Sequence, residues 1–330
     1  MTQHSSAQTT DRLLILPSDE DRRGTRYDQA HRVTEQLAHE HGIPRVEQAE
    51  GTATLLVIVQ TISPTTLRTA LEQNPHLRWV QFPFAGIEPL LPVIRQAPEI
   101  TYTSAAGSYA PPVAEHGLAL TLALLRHLPE RLRATSWGQP KGTTLDGCHI
   151  AIIGGGGIGR ELVRLFSTWD TKITVVRRTE AEVPGAYRTL TQQHLHEAIT
   201  DADVVVLAAA ATDQTAGMFS AREFAVMKSS AVLVNVARGS LVVTDDLLKA
   251  LTTGEISAAG LDVTDPEPLP DGHPLWSTPN VIITPHSADT AEMCIPLLDE
   301  RIQHNLIEAL RHRDLAEADL QGRVDLDAGY

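Results

Sequence analysis

The feature that most constrains this chain is a glycine-rich stretch between a strand pattern and a helix pattern. Residues Ile150–Ile153 are apolar and predict a buried β-strand. They run directly into Gly154, Gly156 and Gly159, which have the spacing G-x-G-x-x-G. Apolar residues then recur through Arg160–Trp169 as in an amphipathic helix. A strand, a glycine turn and a helix in this order indicate a dinucleotide-binding loop; the alternative is a plain glycine-rich connection.

Each glycine of this loop has a physical task in such a site. The first makes a tight turn, the second lets the backbone approach a pyrophosphate, and the third lets helix and strand pack closely. The N–H groups and the dipole at the start of the helix favour an anion. We therefore expect a dinucleotide to contact Gly154, Gly156, Gly157, Ile158 and Gly159.

Composition excludes several other classes of protein. The chain has 330 residues, enough for two domains, and a formal net charge of -14, which argues against binding to a nucleic-acid backbone. Its longest purely apolar run, Val204–Ala211, is too short to span a bilayer, and the N-terminal residues lack an apolar signal core. Two cysteines make neither a disulfide framework nor a zinc site. We expect a cytoplasmic protein without nucleic-acid, membrane or metal partners.

Strand patterns alternate with helix patterns along the chain, which predicts an α/β fold of parallel sheets covered by helices. The predicted strands are Leu13–Leu16, Leu55–Val59, Trp79–Phe82, Ile100–Thr103, Ile150–Ile153, Lys172–Val176, Val204–Leu207, Val232–Val236, Ala258–Val263 and Val281–Thr284. The predicted helices are Tyr27–Glu40, one that Pro64 opens, Ala114–Leu128, Arg160–Trp169, one that Thr244 caps, and Ile295–His312.

The end of the strand at Lys172–Val176 bears on which dinucleotide binds. In an NAD site, a carboxylate about twenty residues beyond the first glycine binds the ribose hydroxyls. Here the strand runs into Arg177 and Arg178, and no carboxylate follows until Glu180. Guanidinium groups pair with a 2′-phosphate, which a carboxylate would repel. This predicts NADP as the preferred cofactor and NAD as the second choice, unless both arginines are solvated surface charges.

Three polar residues each lie just beyond a predicted strand: Arg238, Glu267 and His286. The C-terminal ends of parallel strands share one edge of the sheet, so these side chains could converge. A 2-oxo acid accepting hydride needs a cation for its carboxylate and an acid for the forming alkoxide. A histidine paired with a carboxylate stays protonated nearer neutral pH. We interpret the three as catalytic, although each alone could be an ordinary loop residue.

Four stretches together resemble the D-isomer-specific 2-hydroxyacid dehydrogenases, and glyoxylate/hydroxypyruvate reductases in particular. They are I-I-G-G-G-G-I-G-R, V-N-V-A-R-G-S-L-V, G-L-D-V-T-D-P-E-P-L-P and N-V-I-I-T-P-H, and the resemblance covers nearly the whole chain. It implies two Rossmann-like, doubly wound parallel-sheet domains. A dinucleotide-binding domain of residues 105–288 is then inserted into a split, flavodoxin-like substrate domain of residues 1–104 plus 289–330.

The resemblance also implies roles for individual residues. Arg238 corresponds to the substrate-binding arginine, Glu267 to the carboxylate partner and His286 to the proton donor. The loop Ala85-Gly86-Ile87 corresponds to one whose backbone N–H groups hold the substrate carboxylate. Besides the glycine loop and the two arginines, the residues expected beside the cofactor are Ala209, Val236, Ala237, Asp262 and His286.

These observations predict an NAD(P)H-dependent reductase that converts a small 2-oxo acid to the D-2-hydroxy acid and forms a homodimer. One alternative is a dehydrogenase of a phosphorylated acid such as 3-phosphoglycerate, but the substrate domain has no obvious phosphate-binding cluster. The other is a nucleotide-sensing interaction protein similar to the C-terminal-binding corepressors. The presence of arginine, glutamate and histidine together favours an enzyme.

Overall fold

A computed structural model describes residues 11–18 and 28–329, which form two compact units. The first contains the described residues up to Ser108 and those from Ala291 onward, and the second is Tyr109–Thr290. The predicted division was 1–104 plus 289–330 against 105–288. Its first boundary thus lies four residues before the observed one, and its second boundary two residues before. Both units are parallel sheets with helices, so the predicted α/β class with one unit inserted into the other is confirmed.

The bounds of the regular elements follow from the backbone hydrogen bonds. The strands are β1 (Leu13–Leu16), β2 (Leu55–Ile58), β3 (Trp79–Gln81), β4 (Thr101–Thr103), β5 (His149–Ile153), β6 (Lys172–Arg177), β7 (Arg188–Thr191), β8 (Val204–Leu207), β9 (Val232–Asn235), β10 (Ala258–Leu261) and β11 (Val281–Ile283). The helices are α1 (Asp28–Glu40), α2 (Pro64–Gln73), α3 (Leu91–Ile94), α4 (Ala110–Leu125), α5 (Leu128–Leu132), α6 (Gly157–Phe166), α7 (Leu195–Thr200), α8 (Ala221–Val226), α9 (Thr244–Thr253) and α10 (Ala291–Arg311).

The sheet of the first unit has the strand order β1-β2-β3-β4, and every neighbouring pair is parallel. Arg45 forms an isolated parallel bridge to Leu13 on the free side of β1. If this bridge is counted as a one-residue strand, the order becomes 2-1-3-4-5, which is the flavodoxin-like order. The first unit therefore has the predicted flavodoxin-like topology.

A buried polar network attaches α10 to this first sheet. Asn305 is fully buried, and its Nδ2 donates to Gln81 Oε1 of β3 at 2.7 Å. Its Oδ1 accepts from the backbone N–H of Gln321 at 2.8 Å. Thr103 on β4 donates to the same Gln81 oxygen at 2.8 Å. Because buried polar groups are costly unless they are paired, this network ties the end of the chain to strands near its beginning.

The sheet of the second unit has the order β11-β10-β9-β8-β5-β6-β7, again with every pair parallel. Numbered within the unit, this contains the doubly wound order 3-2-1-4-5-6 of dinucleotide-binding proteins. Its central strands are apolar along their length because helices cover both faces. The strand order reverses between β5 and β8, and ligands bind in the crevice at such a point.

All ten predicted strands are confirmed, with ends that shift by two residues at most. β7 was not predicted, because it lies at the edge of the sheet and its sequence, R-T-L-T, is only half-buried and carries no apolar run. Tyr27, the predicted start of the first helix, lies outside the described residues. Among the described helices, none is both long and apolar enough to cross a membrane.

Four helix predictions need correction, since the helix predicted at Arg160–Trp169 is Gly157–Phe166 and the one predicted at Ile295–His312 is Ala291–Arg311. The helix predicted at Ala114–Leu128 is α4, which begins at Ala110 because its first turn can hold two prolines without losing a hydrogen bond. It ends at Leu125, whose carbonyl accepts from Thr143. Thr244 is not the N-cap of α9 but its first residue, and its hydroxyl donates to the carbonyl of Asp265 instead.

Candidate active site

The three strands β9, β10 and β11 end at the same level of the second sheet. Asn235 pairs with Leu261, and Leu261 pairs with Ile283, so the last residues of the three strands lie side by side. Arg238, Glu267 and His286 follow these ends. The parallel register therefore gathers three segments that lie far apart in the sequence at one edge.

Glu267 and His286 are in direct contact. His286 Nδ1 lies 2.7 Å from Glu267 Oε1, and the two side chains are 44% and 43% exposed. The backbone of His286 has a φ of 48°, in the left-handed region that residues other than glycine rarely adopt. The backbone N–H of His286 donates to the carbonyl of Asp262 at 2.8 Å, which helps to hold this conformation.

Arg238 is held by a turn that Asn235 organises. The buried Asn235 side chain accepts from the N–H of Ala237 at 3.0 Å and donates to the carbonyl of Arg238 at 2.9 Å. Arg238 Nη1 donates to the carbonyl of Ala237 at 2.8 Å. Asn235 was missed as a positioning residue, since an asparagine at the end of a strand is also common in plain turns.

The loops that carry Arg238 and Glu267 pack against each other through a glycine. A Cβ atom on Gly239 would lie 1.9 Å from the carbonyl oxygen of Thr264. Only glycine allows the backbones to approach so closely. The hydroxyl of Thr244 ties the same two loops together through the carbonyl of Asp265.

Asp262 anchors the turn that carries His286. Its side chain is only 2% exposed. Oδ1 accepts from Thr284 Oγ1 at 2.6 Å and from the N–H of Ser287 at 2.9 Å, and Oδ2 accepts from the N–H of Ala288 at 3.1 Å. Asp262 was expected beside the cofactor, and in this structure its carboxylate is bound by groups of its own chain.

These contacts determine the charge of Asp262. Burial alone would raise the pKa of its carboxyl group, but contacts with His116, Thr284 and two backbone N–H groups outweigh burial and lower the pKa to about 2. The carboxylate is therefore ionised at neutral pH. His116, which lies on α4, was not singled out in the sequence because it sits in a mostly apolar helix.

The glycine loop fits a dinucleotide. Gly154 has a φ of 118°, and a Cβ atom on it would lie 2.4 Å from the carbonyl oxygen of Ala208. A Cβ atom on Gly159 would lie 1.9 Å from the carbonyl oxygen of Gly154, so α6 begins directly against the end of β5. A Cβ atom on Gly156 would meet nothing within 4 Å, which leaves this backbone accessible to a ligand. Open backbone at the N-terminus of a ten-residue helix suits a pyrophosphate.

Arg177 is the last residue of β6, and its side chain crosses the glycine loop. A Cβ atom on Gly155 would lie 3.1 Å from Arg177 Cδ and 3.3 Å from Arg177 Cβ. Arg177 Nη1 donates to the carbonyl of Ala181 at 3.1 Å, and the neighbouring Arg178 is exposed. Gly155 was missed because it is not one of the three glycines in the motif, yet it makes room for the arginine.

Other predicted site residues also lie at strand ends. Ala209 follows β8, and the buried Val236 and Ala237 follow β9. In the first unit, the loop Ala85-Gly86-Ile87 follows β3, and the carbonyl of Phe84 accepts from the N–H of Ala105 at 3.0 Å. The structure thus brings Glu267 and His286 into contact and places the other predicted residues at or just beyond the C-terminal ends of strands, with Gly157, Ile158 and Gly159 in the first turn of α6.

The doubly wound sheet and the fitted glycine loop define a dinucleotide-binding α/β protein. Residues 118–288 match the model of the NAD binding domain of D-isomer specific 2-hydroxyacid dehydrogenases. The chain belongs to this family, as the motifs predicted.

Known proteins with similar sequences agree with this assignment. A glyoxylate reductase of Pyrococcus furiosus is 31% identical over 285 residues, which are 81% of this chain and 83% of the relative. An uncharacterised protein of Corynebacterium melassecola is 40% identical over 264 residues, which are 77% of this chain and 84% of that one.

The structural comparison extends the likeness to almost the full length. A D-isomer specific 2-hydroxyacid dehydrogenase family protein from Aeromonas salmonicida has a TM-score of 0.75 and 28% sequence identity to this chain. The match covers 97% of this chain and 100% of that structure.

The low pKa of Asp262 predicts a loss of stability in acid. A carboxyl group whose pKa is lower in the folded state than in the unfolded state stabilises the fold above pH ~4 and ceases to do so as the pH falls toward 2. We expect Asp262→Asn to lower the free energy of unfolding by about 2 kcal/mol at pH 7. The deficit should shrink toward pH 3. Urea unfolding across this range measures it, with the exposed Asp213→Asn of the same unit as control. A deficit that is constant with pH would contradict the prediction.

Proposed function

We propose that the protein reduces a small 2-oxo acid to the D-2-hydroxy acid with NADPH. The observation that carries this proposal is the 2.7 Å contact between His286 Nδ1 and Glu267 Oε1 at the carboxyl edge of a nucleotide-binding sheet. The glyoxylate reductase relative supports glyoxylate and acids of similar size as the first substrates to test.

In this proposal, His286 is the proton donor. Glu267 engages Nδ1, so Nε2 is the nitrogen that delivers a proton to the alkoxide forming from the substrate carbonyl. The hydrogen bond to the Glu267 carboxylate keeps the ring in one orientation. Because both side chains are almost half exposed, the pair is accessible to substrate and can be protonated again from solvent.

Arg238 supplies the positive charge that binds the substrate carboxylate. The turn that Asn235 organises fixes the backbone of Arg238, so the side chain that carries the guanidinium group extends from a fixed point. A planar guanidinium group can bind a carboxylate through two hydrogen bonds, which orients the substrate as well as binding it. Carboxylate binding by the backbone of Ala85-Gly86-Ile87 remains a prediction.

The cofactor, when bound, supplies the hydride for the carbonyl carbon. The backbone from Gly154 to Gly159 would hold its pyrophosphate at the start of α6. Ala209, Val236 and Ala237 are small or apolar and would leave room for its flat groups. Arg177 and Arg178 would pair with the 2′-phosphate that distinguishes NADP from NAD.

The first experiment combines this reaction with a change at His286. Purified protein is assayed for oxidation of NADPH and NADH with glyoxylate, hydroxypyruvate, pyruvate, and branched and aromatic 2-oxo acids. We expect turnover with NADPH, and a loss of about 10²–10⁴-fold in His286→Gln, because general acid catalysis contributes that much. NADPH affinity should change little.

His196→Gln is the matched control, since His196 also pairs with a carboxylate, Glu223, at 2.9 Å, but lies on α7. It should retain wild-type turnover. Near-normal turnover in His286→Gln would contradict the proton-donor role. Tight NADPH binding without turnover of any acid would favour the sensing protein instead, and turnover only of phosphorylated acids would favour the other alternative.

The arginine pair predicts the cofactor preference. Replacing Arg177 and Arg178 with serine removes two cations that a 2′-phosphate would contact, and each charged hydrogen bond is worth ~1.5–3 kcal/mol. The ratio of kcat/KM for NADPH to that for NADH should therefore fall by about 10²-fold or more, mainly through KM for NADPH. Arg164→Ser/Arg222→Ser, which removes two exposed arginines of α6 and α8, is the charge-matched control. An unchanged ratio in the double variant would show that the arginines are surface charges.

We further infer a homodimer, as the family resemblance implies. On the second unit, Leu132 is 85% exposed and Trp137 is 93% exposed, and Leu128 nearby is also exposed. The Arg131 side chain donates to the carbonyl of Ser136 at 3.4 Å, so the segments that carry Leu132 and Trp137 lie close in space, and clustered exposed apolar side chains are typical of an association surface. Sedimentation equilibrium should give twice the chain mass for the wild type and a lower mass for Leu132→Lys/Trp137→Ser. Tyr187→Ser, at another exposed site, should stay dimeric. A wild-type monomer would refute the inference.

A further inference from the structure

A histidine on α4 is part of the network that holds the turn of His286. His116 is partly buried, and its Nε2 lies 2.9 Å from Thr284 Oγ1 and 3.4 Å from Asp262 Oδ1. The helix that carries it packs against β9, β10 and β11, and Gly260 lets it approach the sheet closely. The proposed chemistry assigns no task to His116 or Thr284.

The direction of these hydrogen bonds follows from the chemistry of their groups. An ionised carboxylate only accepts, so the hydroxyl of Thr284 donates to Asp262 Oδ1 across 2.6 Å. That hydroxyl has a single proton, and its oxygen must therefore accept from His116. Nε2 of His116 thus carries a hydrogen, in either the neutral or the charged ring.

The network ends at the catalytic turn. The same carboxylate accepts from the N–H groups of Ser287 and Ala288, and the carbonyl of Asp262 accepts from the N–H of His286. A left-handed backbone at a residue such as His286 persists only where its surroundings determine it. Any rotation of the Asp262 carboxylate would disturb the turn that positions the His286 ring.

We propose that His116 is a positioning residue for the proton-transfer step. Its Nε2–H orients Thr284, and Thr284 fixes the Asp262 carboxylate that holds the turn of His286. His116 itself does not touch the substrate. This inference rests on the proposed role of His286 as proton donor.

A pair of variants tests the role of the donor group. His116→Leu keeps a similar volume without a donor, and His116→Gln places an amide N–H near the position of Nε2. Because displacement of a catalytic group by about 1 Å can cost ~10²-fold, we expect kcat to fall about 10- to 100-fold in His116→Leu. KM for the 2-oxo acid and the dissociation constant of NADPH, measured by fluorescence, should change less than about threefold if only transition-state geometry is lost. His116→Gln should recover most of the turnover.

A double-mutant cycle shows whether the effect passes through Thr284. Thr284→Val removes the bridging hydroxyl, so His116→Leu/Thr284→Val should turn over no more slowly than the slower single variant. Thr121→Val is the control on α4, because its buried hydroxyl donates to Gly117 within the helix. It should retain wild-type kcat.

A readout without substrate completes the test. The Cε1–H signal of His286 in NMR spectra, identified by its loss in His286→Gln, should shift or broaden in His116→Leu and match the wild type in His116→Gln. An unchanged signal and normal turnover in His116→Leu would overturn the proposal, as would a glutamine variant as impaired as the leucine one, or additive losses in the cycle. If His286→Gln itself turns over normally, the proposed function fails instead.

Discussion

The buried carboxylate of Asp262 is the contact on which the geometry of the site depends. It directly follows β10, and its hydrogen-bond donors Thr284, Ser287 and Ala288 belong to the segment after β11, so it extends the link between these two paired strands beyond the end of the sheet. A buried charge is costly unless several donors surround it. Asp262 meets that condition, and the donors around its carboxylate are the reason that the pKa of the carboxyl group is low.

Apart from Asp262, the parallel sheet determines most of the arrangement of the candidate site. Parallel strands place all their carboxyl ends on one edge, and the aligned register of β9, β10 and β11 places the segments that carry Arg238, Glu267 and His286 at that edge, although they span some fifty residues of sequence. Two glycines complete the arrangement by allowing backbone contact. Gly239 joins the loops of Arg238 and Glu267, and Gly159 sets the start of α6 against β5.

The sequence predicted the parts of this structure that depend on local pattern. The strands were predictable because buried parallel strands are short apolar runs, and the contact between Glu267 and His286 because each follows such a run. His116 was not predictable in the same way. Its neighbours Thr284 and Asp262 are more than a hundred residues away, and only the packing of α4 on the sheet brings them within reach. The need for glycine at position 155 was equally unpredictable, because it depends on the Arg177 side chain that packs against it.

Because α10 belongs to the first unit, the two units fold in a different order from the one in which they begin to be synthesised. The first unit needs residues from both ends, because Asn305 joins Gln81 and Gln321 in one buried network. The inserted unit, Tyr109–Thr290, is continuous in sequence. On a ribosome, where domains generally fold as units in order of synthesis, the inserted unit can therefore fold before the unit that starts first. The first unit stays incomplete, with apolar surface of its early strands exposed, until residues 291–330 have been synthesised. Binding of the nascent chain by a chaperone is therefore most important for its N-terminal part.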